Sequence, residues 1–381
     1  MNVYLSEIHK NQHDPMLIEN LFDCTFNEWH YETDELKENS LFIVEPNWID
    51  QFVTCRPDMS LIRNKRVLIL HHYKSLSFSY NLSAYFKLLT RVGFEPKNIF
   101  IITQLQYDTS TILDQMPGVN VLVYDRWLIQ LFDRQLSEFG HVAKTNNSNE
   151  LTMKKFSVLI RRFEQIRFNF MCELISRNLL DDFNYTFANH TPPIQEPVAT
   201  SAMKSLIPTN LETSRSKIES WINGIPYEVK PAIGLHTHQR EYDDYPLNID
   251  EYFDKSRINV VFETEPDIGA SFLTEKTYKS ILFKKPFIIV TQKNGLKALR
   301  ASGYQTFGHV IDESYDDIED YDERVQVILN EITRLNNMPE GEFNNLIAAC
   351  EPAISHNYDT LFALAYSPIP KEFCIKSLTT F

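Results

Sequence analysis

The sequence predicts an α/β protein built from two doubly wound domains, and three observations carry that prediction. Length is the first: 381 residues exceed the usual span of a single domain. The second is a set of short apolar runs bounded by polar turns, which suits strands buried on both faces of a parallel sheet. The third is the alternation of those runs with stretches of helical periodicity, the pattern of parallel strands joined by crossover helices.

In the first half the strand runs are residues 40–45 (SLFIVE), 66–70 (RVLIL), 98–103 (NIFIIT) and 120–124 (NVLVY). Residues 81–92 between them place Leu82, Tyr85, Leu88, Leu89 and Val92 at spacings of three and four, one apolar face of a helix. Residues 141–151 (HVAKTNNSNEL) are polar and Asn-rich, which marks a linker. The expected division is therefore 1–150 and 151–381, with roughly the last 30 residues packing back on the first domain. In the second half, strands are expected at 155–160 (KFSVLI), 258–263 (INVVFE), 286–290 (PFIIV) and 309–311. Helices are expected at 165–180, 275–283, 296–302 and 323–336, and a proline-bearing loop at 190–210.

Hydrophobic residues make up 43% and aromatics 13%, enough for two packed cores, which excludes global disorder. The net charge of −14 argues against a general nucleic-acid or membrane binder. Ten glycines leave no Gly-rich phosphate loop, and neither G-x-x-x-x-G-K-[ST] nor G-x-G-x-x-G occurs. The five cysteines (Cys24, Cys55, Cys172, Cys350, Cys374) are odd in number and far apart, so neither a zinc site nor a disulfide framework is implied. The polar start MNVYLSEIHKNQHD lacks a signal-peptide core, and no apolar run nears the roughly 18 residues of a membrane span. The expected compartment is the cytoplasm, of a cell or of an infected host. The sequons at Asn184 and Asn189 are then without consequence.

The chemistry concentrates in residues 258–316. A buried strand ends in Glu263, and a polar loop crosses to Ser271-Phe272-Leu273. Thr274 is placed to cap a helix whose first turn holds Glu275 and Lys276. A helix N-terminus offers free N–H groups and a positive dipole end to a phosphate, and Lys276 adds a point charge. Glu275 can accept hydrogen bonds from the vicinal hydroxyls of a ribose. A capped surface helix with a first-turn glutamate is the bland alternative.

The string resembles the nucleotide-sugar motif of the α1,3-fucosyltransferases: a strand ending Phe-Glu-Asn, a short loop to an aromatic, then Val/Ile-Thr-Glu-Lys. Here the residues are Phe262-Glu263-Thr264, then Phe272-Leu273-Thr274-Glu275-Lys276. Three departures stand out: Thr264 replaces Asn, Phe272 replaces Tyr, and the loop is longer by two residues. The resemblance therefore implies nucleotide-sugar binding more than it implies fucose. The stretch is also similar to a wider group of viral and bacterial glycosyltransferase-like proteins, through EKTYK, KPFI, the Leu296-x-x-Leu299-Arg300 helix, GYQTF and IDESYD. The fold this implies is GT-B-like: two Rossmann-like domains facing a central cleft.

Residues 156–170 (FSVLIRRFEQIRFNF) read as a strand, a short loop and a helix. Arg167 occupies the place where the fucosyltransferase pattern puts a diphosphate contact, and Arg161 and Arg162 lie at the strand end. Guanidinium forks bind diphosphate oxygens bidentately and stay charged when partly desolvated. The alternative for Arg167 is a local ion pair with Glu164 or Glu173. Three arginines and a lysine suit chemistry that neutralises the leaving diphosphate with side chains and no metal. No clear D-x-D motif is present; Asp243-Asp244 and Asp316-Asp317 are adjacent pairs explained by solvation. The carboxylates of 311–317 (IDESYDD) lack the alternating spacing of a hard-cation loop and read as a turn that caps the following helix.

A general base for an acceptor hydroxyl would come from the first domain, from polar residues that end its strands: His72 first, then Asp125, His71 and Glu45. The leading expectation is a nucleotide-sugar-dependent glycosyltransferase, inverting and metal-independent, acting on a carbohydrate or other hydroxyl acceptor. A second is a phage-type DNA glycosyltransferase acting on hydroxymethylated bases, since residues 66–79 faintly resemble the strand and turn of those enzymes; the −14 charge opposes it. A third is a non-catalytic sugar or nucleotide binder.

Overall fold

The computed structural model describes residues 2–6, 26–29, 40–44, 66–71, 86–91, 93–103, 116–123, 152–160, 163–188, 197–227, 250–263 and 273–365. The chain divides into two compact units, Met1–Ile129 with Ala365–Phe381, and Gln130–Leu364. The linker expected at 141–151 lies outside the described residues.

The first unit carries six parallel strands: β1 (Asn2–Ser6), β2 (Phe26–Trp29), β3 (Ser40–Val44), β4 (Arg66–His71), β5 (Ile99–Thr103) and β6 (Asn120–Val123). Their order is β2-β1-β3-β4-β5-β6. Residues 86–91 are helical between β4 and β5, within the helix expected at 81–92. Parallel neighbours require crossover connections, which accounts for the spacing of the runs along the sequence. Ile99, Phe100 and Ile101 are all buried, as a strand covered on both faces demands. The chain steps from β1 out to β2, then returns to the far side of β1 with β3 and continues outward to β6. The strand order therefore reverses between β1 and β3.

The second unit holds a four-stranded parallel sheet of β7 (Lys154–Ile160), β8 (Phe183–Phe187), β9 (Ser256–Phe262) and β10 (Phe287–Val290), ordered β10-β9-β7-β8. Its helices are α1 (Gln165–Ser176), α2 (Thr200–Ser205), α3 (Arg215–Ile222), α4 (Asp250–Asp254), α5 (Glu275–Leu282), α6 (Gly295–Ala301), α7 (Tyr321–Asn336) and α8 (Glu340–Ala365). From β7 the chain steps to β8 on one side, crosses to β9 on the other, and continues outward to β10. The reversal falls between the paired strands β7 and β9. In open α/β sheets, ligands bind beyond the carboxyl ends of the strands at such a switch point.

β9 and β10 are buried along nearly their whole length, and Phe156, Val158 and Ile160 bring β7 into the same core. A buried polar ladder fixes the register beneath the site. The Ser256 hydroxyl donates to Ser157 Oγ at 2.9 Å and the Ser157 hydroxyl to Asn259 Oδ1 at 3.1 Å; Asn259 Nδ2 donates to Ser280 Oγ at 2.6 Å. That chain ties β7, β9 and α5 together, since breaking it would leave buried polar atoms unpaired. Gly295 starts α6 against the end of β10, where a Cβ would meet Thr291 Cγ2 at 2.2 Å.

Three expectations for this unit change. Residues 309–311 are a turn and not a strand. The loop expected at 190–210 contains α2 and the start of a 3-10 stretch at Thr209–Ser214. Its prolines fall before those elements, as with Pro208 at the start of the 3-10 stretch, where a missing N–H costs nothing. The helix expected to reach 180 ends at Ser176.

Candidate functional site

All strands of the second sheet run in one direction, so the residues following each strand gather at one edge. The segment after β7 leads into α1 and Arg167. The segment after β9 starts at Glu263 and leads into α5 with Thr274, Glu275 and Lys276. These two segments flank the β7/β9 reversal. Phe262, the last residue of β9, joins them: the Arg167 guanidinium lies 5.8 Å from its ring centroid, and Phe170 of α1 packs edge-on against it.

Arg167 is almost wholly buried, with its side chain 6% exposed. Its Nε lies 3.3 Å from Glu164 Oε2, near enough for an ion pair but not aligned as a hydrogen bond. Of the two partners expected for it, Glu164 is therefore the one found; Glu173 instead faces Arg177 at 3.5 Å. A guanidinium held beside the Phe262 ring, with the partly exposed Glu164 carboxylate at its edge, can take a further anion.

Thr274 caps α5 as its sequence position predicts, and the cap is more extensive than a threonine alone provides. The Thr274 oxygen accepts weakly from the Lys276 N–H at 3.4 Å and from Lys276 Nζ at 3.0 Å. Its hydroxyl donates to Glu263 Oε2 at 2.6 Å, and its N–H donates to Glu263 Oε1 at 3.0 Å. The Thr277 hydroxyl donates to Glu263 Oε1 at 2.6 Å, and Lys276 Nζ lies 3.5 Å from Glu263 Oε2. Glu263 itself is 0% exposed. As it stands, its carboxylate faces inward to the helix start, so the direct ligand contact expected of Glu263 gives way to a role inside the protein. Thr277 is the member that the sequence reading missed; the signal was a T-x-x-T pair opening a helix just after a strand-end glutamate.

Arg161, Arg162, Thr264 and Phe272 lie outside the described residues, as does the side chain of Glu275, whose backbone opens α5. In the first unit, His72, Asp125 and Glu45 also lie outside them. His71 ends β4, in register with Thr103 of β5. The strand reversal of that sheet falls between β1 and β3, and Glu45 is the residue that follows β3 in sequence.

The acidic stretch 311–317 is structural, as expected, but Asp316 is buried where solvation was expected, and its main cap points the other way along the chain. Asp316 accepts from the N–H groups of Leu296 at 2.8 Å and Lys297 at 2.9 Å, capping α6, which precedes it. The following helix, α7, is capped by Asp320, which accepts from the Glu323 N–H at 2.8 Å. Glu313 closes the intervening loop by accepting from the Thr306 hydroxyl at 2.7 Å and the Phe307 N–H at 2.6 Å. Arg300 reaches both carboxylates, Glu313 at 3.2 Å and Asp316 at 3.4 Å. Burial pushes the carboxyls of Glu313 and Asp316 above the ordinary range, whereas hydrogen bonds from Ser314 hold Asp312 below it. Among the described residues no group of three acidic, histidine or cysteine side chains is placed to hold a metal ion. No described helix is long and apolar enough to cross a membrane.

No protein-family model matches the chain, and no curated protein matches it. Among solved structures, a UDP-forming α,α-trehalose-phosphate synthase from Burkholderia vietnamiensis is 11% identical, covering 86% of this chain and 70% of that one, with a TM-score of 0.42. A trehalose-6-phosphate synthase is likewise 11% identical, over 91% and 73%, with a TM-score of 0.44. The corresponding enzyme of Burkholderia multivorans is 11% identical over 86% and 68%, with a TM-score of 0.43. At this level of likeness nothing about the activity of the chain follows.

Proposed function

We propose that the chain is a GT-B-type glycosyltransferase that takes its donor, a nucleotide-diphosphate sugar, at the β7/β9 switch point of the second unit. The observation that carries this reading is the convergence at that one reversal of a buried arginine from α1 and a capped helix start bearing Thr274-Glu275-Lys276. Arg167 and Lys276 would take the charge of the diphosphate, and Glu275 the ribose hydroxyls. Arg161, Arg162, Thr264 and Phe272 would line the same donor site.

In the transfer step an acceptor hydroxyl attacks the anomeric carbon. The bond from that carbon to the diphosphate oxygen breaks, and a base removes the hydroxyl proton. A single displacement of this kind inverts the anomeric centre. Side-chain cations stabilise the leaving diphosphate in place, so the reaction runs without a metal ion. For the base, the sequence proposes His72 and Asp125, and the strand reversal beside β3 gives Glu45 an additional argument. The acceptor is a carbohydrate or another hydroxyl compound.

The test is a thermal-shift screen of the full chain against GDP, UDP, CMP and their sugars, followed by transfer assays with the sugar that binds. A ligand at about 100 times its dissociation constant adds roughly 2.7 kcal/mol of stability. Stabilisation by one nucleotide diphosphate and its sugar, with transfer to oligosaccharides, supports the proposal. Transfer confined to DNA carrying hydroxymethylated bases would move the acceptor to nucleic acid. Binding without transfer or hydrolysis would reduce the protein to a binder.

A further inference from the structure

We propose that Glu263 is a positioning residue that acts through Lys276; the inference rests on the donor-site reading above. The arrangement is a buried carboxylate at the end of β9 that holds the first turn of α5 by three hydrogen bonds, at 3.0, 2.6 and 2.6 Å. The same carboxylate lies 3.5 Å from the Lys276 ammonium, which is 24% exposed and also donates to Thr274 Oγ1 at 3.0 Å. Lys276 is thus drawn back over the helix N-terminus, with its charge compensated before any ligand arrives.

Two consequences follow for an anion at this helix start. Glu263 takes the Thr274 N–H and the Thr277 O–H for itself, and the N–H groups of Lys276 and Thr277 donate back to Thr274, so the ligand meets the Lys276 ammonium. Its negative charge also lowers the net attraction that Lys276 exerts on a diphosphate. A carboxylate placed this way lets a diphosphate bind in a fixed position and still leave after transfer. Glutamine has nearly the shape of glutamate, and the threonine hydroxyls can turn to pair with an amide, so Glu263→Gln removes the charge and keeps the frame.

The experiment is a double-mutant cycle on the full chain, with calorimetric titration of wild type, E263Q, K276Q and the double variant against inorganic pyrophosphate, GDP and UDP. E263Q is expected to bind pyrophosphate about three- to tenfold more tightly than wild type, because the Lys276 ammonium, no longer drawn to Glu263 Oε2, turns to the ligand. In the K276Q background the same substitution changes affinity less than about twofold. An equal shift in both backgrounds, or none in either, overturns the proposal while leaving the donor site standing. A wild-type protein that binds none of the three probes overturns the donor reading and this one with it. Should E263Q fail to fold, melting of K276Q alone decides: Glu263 left buried without its cation should lower Tm by more than about 3 °C. An unchanged Tm would show that the pair is not formed.

Discussion

Thr274→Ala should unfold the second unit several degrees early, and the structure says by how much. The side chain does two things: its oxygen caps α5, and its hydroxyl donates to a fully buried carboxylate at 2.6 Å. Losing an N-cap costs about 1 kcal/mol. Losing a hydrogen bond to a charged, buried acceptor costs about 1.5–3 kcal/mol, because Glu263 Oε2 is left with Lys276 at 3.5 Å. The sum is about 2.5–4 kcal/mol. For a unit the size of Gln130–Leu364, each kcal/mol moves Tm by about 2–4 °C, which gives a drop of at least about 5 °C. Thr274→Ser keeps the hydroxyl and loses one methyl group, so it should cost under about 1 kcal/mol. Circular dichroism melts of the three proteins measure this directly. An alanine variant that melts within about 1 °C of the parent, or a serine variant as unstable as the alanine, would falsify the cap as described.

Other expectations follow from neighbouring features. Lys155 Nζ donates to the carbonyls of Leu335, Asn336 and Met338 at 3.3, 2.6 and 3.0 Å, closing the C-terminus of α7; Lys155→Met should cost about 1.5–3 kcal/mol in urea unfolding, and no change would show those carbonyls satisfied by water. The raised carboxyls of Glu313 and Asp316 bind protons more tightly when folded. Their contribution to stability is therefore full below the ordinary carboxylate range and lost as pH rises through the raised values. Glu313→Gln should flatten that part of the stability-versus-pH curve, and an unaltered slope would contradict the assignment. Transfer activity should survive EDTA; loss on chelation with rescue by Mn²⁺ or Mg²⁺ would require a metal in the mechanism.

The elements most legible in the sequence were strands buried on both faces, where apolar runs such as NIFIIT and PFIIV have no rival reading. β8 was not legible because its buried positions include Asn184 and Thr186. Asn184 Nδ2 donates to the carbonyls of Thr152 and Lys255, and Thr186 Oγ1 accepts from the Ile160 N–H, so the polar residues serve the sheet's edge and interrupt the apolar run. β1 and β2 were masked by polar neighbours. The long helix α8 carries Pro352 in its interior, which argues against a helix in any reading of sequence alone. At the site, the cap by Thr274 was foreseeable from spacing, whereas the placing of Arg167 came from the fucosyltransferase resemblance. The inward turn of Glu263 was not. A glutamate that ends a strand before a phosphate-binding pattern reads as a ligand contact, and only the depth of the strand end and two threonine hydroxyls make it an internal anchor.

The donor site itself is tested most directly by calorimetric titration of wild type, Arg167→Ala and Lys276→Ala with the nucleotide diphosphate that the screen identifies. Each cation lost from a charge-assisted contact should cost about 1.5–3 kcal/mol, a weakening of roughly tenfold or more, while each variant keeps its cooperative melt. Two variants that bind the nucleotide diphosphate as tightly as the parent would contradict the account.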